Sequence, residues 1–119
     1  MQWVQTAGGI VNDLGYGIAV DASGNVYITG YFNDTATFGT TSKTSAGSAD
    51  IFVAKYSNAG SLQWVQTAGG TSYDLGNGIT VDASSNVYIT GYFNGTATFG
   101  ATSKTSAGSA DIFVARLQD

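Results

Sequence analysis

The stretch Gly17-Ile18-Ala19-Val20-Asp21-Ala22-Ser23-Gly24-Asn25-Val26-Tyr27-Ile28-Thr29-Gly30-Tyr31-Phe32 decides the fold. Two apolar runs flank the polar segment Asp21 to Asn25, which predicts a β-hairpin. Asp and Asn side chains bond their own backbone in such turns, and Gly24 tolerates a positive φ. The stretch returns almost unchanged from Gly78 to Phe93. Ser85 stands where the first copy has Gly24, so a slight strain is expected in the second turn.

Working outward, Trp3 recurs as Trp64, Asp13 as Asp74, Phe38 as Phe99 and Asp50 as Asp111, always 61 residues on. About 45 of 57 aligned positions are identical, which points to recent duplication or design. A fixed period with no gap identifies a repeat protein. Two units follow, residues 1–58 and 59–119. Differences cluster at Ile10-Val11-Asn12 against Thr71-Ser72-Tyr73 and at Tyr16 against Asn77, the mark of a loop.

Each unit reads as short strands. Gln2 to Thr6 (and Leu62 to Thr67) carries the tryptophan. Ala7 to Tyr16 reads as a Gly-rich loop, and Gly17 to Asp21 and Asn25 to Phe32 as the hairpin arms. Asn33 to Ala49 reads as a long structured loop with a brief extended piece at Thr35 to Phe38. Ile51 to Tyr56 is the fourth strand, and Ser57 to Ser61 turns into the next tryptophan strand. β-branched and aromatic residues dominate the apolar runs, and none keeps a helical period.

Composition narrows the function classes. The 119 residues are 43% hydrophobic and 10% charged, with 17 glycines and no proline, which suits a folded chain with many turns. A net charge of −4 offers no basic stripe for nucleic acid. With no cysteine and no histidine, the chain lacks a thiol nucleophile, the commonest general base and the commonest metal ligands. No run approaches the ~18 apolar residues of a membrane-spanning helix. The first residues open inside a strand-like segment without a signal-peptide core, so the chain reads as a segment of a longer array or an engineered copy of one.

Val26-Tyr27-Ile28 and Phe52-Val53-Ala54 are apolar on both faces, so each sheet must be sandwiched. Four-stranded sheets stacked around an axis meet that demand, and such a sheet is a β-propeller blade. The fold class is therefore all-β, with four-stranded antiparallel blades and two repeats per chain. Gly17 and Ala19 suit the crowded innermost strand, and the tryptophan strand the outermost.

The chain resembles the SBBP-type β-propeller repeat of secreted bacterial proteins. The matching residues are Gly17 to Asp21, Gly24 to Gly30, Asp50 to Lys55, Gly60 to Trp64 and Gly69-Gly70. The resemblance implies a secreted or cell-surface setting for the parent protein. It implies no catalytic residues and no cofactor.

In blade terms the first unit begins on the outermost strand of a preceding blade. The second ends on a third strand, Ile112 to Leu117. Two blades cannot close a ring, so the expected partner is the chain itself. The expected interface joins Gln2, Trp3, Val4 and Gln5 of one copy to Ile112, Phe113, Val114 and Ala115 of the next, by strand addition at an edge. Such a head-to-tail contact closes a ring or runs on as a filament. Three chains would give six blades and four would give eight, with three favoured.

Candidate ligand positions are few. Asn12, Asp13, Tyr16, Tyr73, Asp74 and Asn77 lie on loops expected around the axis, where they would hold a carbohydrate or a cation. The duller alternative has each aspartate capping its own loop. Asp21 to Asn25 spaces its oxygens as a calcium loop does, but Val26 and Phe32 stand where that loop needs glycine and a bidentate acid, which favours a plain turn. Asp50 and Asp111 read as structural carboxylates. Trp3 and Trp64 read as packing between blades in preference to a sugar platform. No metal or catalytic residue is assigned. The functional expectation is a non-catalytic structural or interaction module, with a ligand-binding propeller as the alternative.

Overall fold

The computed structural model describes all 119 residues. Eight antiparallel strands follow in order: β1 (Ala7–Gly8), β2 (Asp13–Val20), β3 (Val26–Phe38), β4 (Thr41–Tyr56), β5 (Leu62–Gly70), β6 (Leu75–Val81), β7 (Asn86–Phe99) and β8 (Thr102–Gln118). The first blade is β2-β3-β4-β5, each strand paired with its neighbour in sequence. The second is β6-β7-β8. The strand-to-strand pairing order expected from the sequence therefore holds.

Three segments differ from the sequence reading. Asn33 to Ala49 is a hairpin extension: β3 and β4 continue past the expected strand ends, with Thr35 opposite Thr44 and Phe38 opposite Thr41. Ala36 and Phe38 point inward, while Thr35 and Thr37 face water and pair hydroxyl to hydroxyl with Thr44 and Ser42 at 2.9 and 3.0 Å. Such cross-strand Thr–Thr and Thr–Ser pairs stabilise an exposed face. Within Ala7 to Tyr16, expected as loop, β1 pairs with β3 and β2 begins at Asp13. A bulge at Tyr16 lets the inner strand run on past the expected loop end. Gln2 to Thr6 is not a strand: it lies exposed along the first blade, and only Ala7–Gly8 behind it makes ladder bonds. No strand flanks it to take up its backbone groups.

β5 links the blades. Its body pairs with β4, and its tail pairs with β7 through Gly69 opposite Thr98 and Gly70 opposite Ala97. The shared core holds Tyr27, Ile51 and Val53 from the first blade and Val87, Ile89, Phe93 and Phe113 from the second. A second cluster, around Phe32, Phe38, Phe52 and Tyr56, lies on the opposite face of the first blade. No helix is long and apolar enough to cross a membrane.

Candidate interaction surface

The repeat allows each buried position in one copy to be compared with its equivalent 61 residues away. On the third strand of the first blade, Ile51 and Val53 are 0% and 2% exposed, because the second blade covers them. Their equivalents Ile112 and Val114 are 80% and 77% exposed. On the inner strand the sense reverses: Leu75 is buried and its equivalent Leu14 exposed, and Ile18 and Val20 are exposed beside it. Each blade thus has one covered face and one open face, and the two open faces carry the residue types that make the covered junction. A cleft of about 330 Å³ on the first open face is lined by Leu14, Ile18, Val26, Ile28 and Phe52, with Trp3 at its edge.

Of the expected interface residues, Gln2, Trp3, Val4 and Gln5 are exposed, and Ile112 and Val114 lie bare on β8. Phe113 is buried and Ala115 packs against the shared core, so both face the first blade. Their backbone alone lies on the open edge, since β8 pairs only with β7.

Trp3 already occupies a defined place. Its Nε1 donates to the Asn58 carbonyl at 3.0 Å, and its ring lies 6.5 Å from that of Tyr56. Gly60 makes room: its φ is +90°, and a Cβ there would come within 2.8 Å of the indole. One repeat on, Trp64 Nε1 donates to Asp119 Oδ1 at 2.8 Å. The same Asp119 carboxylate pairs with Lys55 and accepts from Tyr27 Oη at 3.2 Å. Burial pushes its carboxyl up, but the bonds from Lys55, Trp64 and Tyr27 outweigh this and bring it below its ordinary value. Burial and the nearby Asp21 hold the Tyr27 phenol well above its usual range.

The candidate ligand positions fall in two equivalent sets, one per repeat, that meet at Tyr31. Asp13 Oδ2 accepts from Gly9 N at 2.9 Å and its Oδ1 from Asn33 N at 3.2 Å. Asp74 repeats this with Gly70 N and Asn94 N at 3.0 and 3.3 Å. Asp74 is fully buried. That burial raises its carboxyl, against the pull of the two amides. Asn12 and Asn77 are exposed. Tyr16 and Tyr73 are about half exposed, and their rings flank Tyr31 with centroids 5.9 Å away on either side.

Two features escaped the sequence reading. The first is the Lys55–Asp119 pair, whose signal in the sequence is the difference between the copies at positions 55 and 58. The second is the coupling of Asp50 to Asp74 across the blades. Asp50 is 4% exposed; its Oδ2 accepts from Ala46 N at 2.9 Å and its Oδ1 has no partner. Burial and the facing Asp74 push the Asp50 carboxyl up to about 6, against the bond from Ala46. Gly69, at φ +152°, admits this side chain: a Cβ there would fall 2.5 Å from Oδ1.

The Asp21 turn is closed by its own side chain. Oδ1 accepts from Ser23 N and Asn25 N, both at 2.9 Å, and Oδ2 from Asn25 Nδ2 and Tyr27 Oη at 3.1 and 3.0 Å. Asp82 repeats the arrangement.

Antiparallel blades, stacked through apolar faces and joined by an outer strand that reaches onto the next blade, define a β-propeller module. The family model for the SBBP β-propeller repeat matches residues 2–33 and 63–96. The matched segments exceed half of the sequence, and the chain belongs to that family. It is also similar to the uncharacterized WD repeat-containing protein L264 of Acanthamoeba polyphaga mimivirus, at 33% identity over 111 residues. That match covers 82% of this chain and 8% of the viral protein, so the chain spans a small part of that relative.

Proposed function

We propose that this chain is a non-catalytic propeller scaffold whose open faces are closed by further copies of the same repeat. As an isolated polypeptide it self-assembles head to tail into a ring, most simply a trimer of six blades, with a tetramer of eight as the alternative. The observation that carries this is the contrast between buried Ile51 and Val53 and bare Ile112 and Val114. Burying each such side chain is worth about 1.5–3 kcal/mol. The pairing of β4 with β5 inside the first blade supplies the register. Val53 opposite Gln66 and Ala54 opposite Val65 become Val114 opposite Gln5 and Ala115 opposite Val4 of the next copy. The non-catalytic reading is supported by a sequence whose eight acids are all aspartates, with no histidine or cysteine beside them.

A Val4→Cys, Ala115→Cys variant tests the register, since the native chain has no thiols. Mild oxidation should link separate copies into covalent multimers. A product that stays monomeric would contradict the proposal.

Carbohydrate binding near the axis is a second reading, supported by the half-exposed rings of Tyr16 and Tyr73. A glycan array run on native and Tyr16→Ala, Tyr73→Ala proteins decides it: array signals lost in the variant support it, and a blank array rejects it.

A further inference from the structure

The few positions at which the copies differ are not scattered. Several fall where one blade meets the next, and they sort by junction. At the covered junction Tyr16 of the first blade and Tyr73 of the second close on Tyr31 from both sides. One repeat further, the positions equivalent to Tyr16 and Tyr73 about Tyr92 are Asn77 of the same blade and, in a head-to-tail neighbour, Asn12. The two copies carry the same pair of residue types in opposite order: Asn12 then Tyr16, Tyr73 then Asn77. That order makes tyrosine meet tyrosine inside the chain and asparagine meet asparagine between chains.

The rim carries the same distinction. Inside the chain, Asp119 pairs with Lys55 and accepts from Trp64 and Tyr27. Displaced by one repeat, these positions become Asn58 of one copy, its own Trp3, and Arg116 and Tyr88 of the neighbour. Trp3 already reaches Asn58, through its backbone carbonyl where Trp64 reaches the Asp119 side chain. The cation remains at the neighbour's Arg116, but the carboxylate has become an amide, so the junction has no ion pair.

We infer that the chain encodes two unlike blade junctions, a clamped one inside each copy and a neutral, amide-lined one between copies, and that Asn58, Asn12 and Asn77 set the weaker one. This rests on the head-to-tail reading above and deepens it. The blade pair is then the permanent unit, and ring opening occurs between chains. A charge pair of this kind, part-shielded at a junction, changes association by a few-fold and responds to salt.

Sedimentation velocity across a dilution series tests the inference. Asn58→Asp, which places a carboxylate before the neighbour's Arg116, should tighten association about three- to tenfold at low salt. That gain should vanish in salt of about 0.5 M, where the screening length is about 4 Å, and in the Asn58→Asp, Arg116→Gln double variant. Asn12→Tyr with Asn77→Tyr should tighten association independently of salt. Asp119→Asn should lower the melting temperature while leaving the association constant unchanged. Unchanged or weaker association in both gain variants, or a gain from Asn58→Asp that survives loss of Arg116, would overturn the inference while leaving ring assembly intact. A native chain monomeric at every concentration would instead reject the head-to-tail reading itself.

Discussion

Trp64 donates its indole hydrogen to Asp119 across the blade junction, at 2.8 Å. Trp3 reproduces that reach one repeat earlier, onto the Asn58 carbonyl at 3.0 Å. The second relationship has no strand behind it: Gln2 to Thr6 is placed like an outer strand, and only Ala7–Gly8 behind it is paired. The indole bond thus holds the segment in place without a ladder.

Removing either indole should therefore have different consequences. Trp64→Ala should destabilise the chain by somewhat less than the ~3–5 kcal/mol of a fully buried tryptophan, since Trp64 is part-exposed. Trp3→Ala should leave the melting of an isolated copy almost unchanged and weaken association. Chemical denaturation beside sedimentation separates the two. Equal losses of stability would count against the assignment of Trp3 to the open junction.

The isoleucine pair gives a sharper contrast. Ile51→Ala should cost about 2–5 kcal/mol, as truncation of a fully buried side chain does. Ile112→Ala should stay within about 0.5 kcal/mol in the dissociated chain, as exposed substitutions do. The second variant should show its loss in the association constant. Denaturation at nanomolar and at high micromolar concentration reads both numbers.

Asp50 makes stability fall as pH rises. Its carboxyl is pushed from the ordinary 3.8 to about 6 in the fold, so the folded chain holds a proton that the unfolded chain has released. The stabilisation is complete below pH 4 and is lost as pH rises through 6. Asp50→Asn removes the buried charge and turns an amide toward Asp74. It should melt several degrees above the native chain at pH 7.5, with the gap closing by pH 4. Melting curves for the two proteins that run parallel over pH 4–8 would refute this.

Ser85 sits at φ +66° where Gly24 sits at +83°. A left-handed backbone costs an L-residue roughly 1–2 kcal/mol, partly offset by the entropy glycine loses on folding. Ser85→Gly should stabilise the second blade by about 0.5–1 kcal/mol in thermal denaturation, and no gain would mean that the turn bears no strain.

The blades were legible because β-branched runs, turn residues and a 61-residue period all agree. The hairpin extension was not, although Thr35-Ala36-Thr37-Phe38 alternates out and in. Its partner from Thr41 to Ala49 is small and polar, and such residues give no hydrophobic signal even when their backbone is fully paired. Asp74 looked like any loop aspartate, because what buries it comes largely from the other blade. Lys55 and Asp119 lie 64 residues apart, and nothing local links them. Pairings set by blade stacking are invisible to local pattern and surface only when the two copies are compared position by position.

The mass of the isolated chain in solution tests the central claim most directly. Light scattering after size-exclusion chromatography at micromolar concentration should give three or four times 12.2 kDa, falling back to one chain when Met1 to Thr6 is deleted. A single 12.2 kDa species for the native chain, stable and folded, would contradict the account.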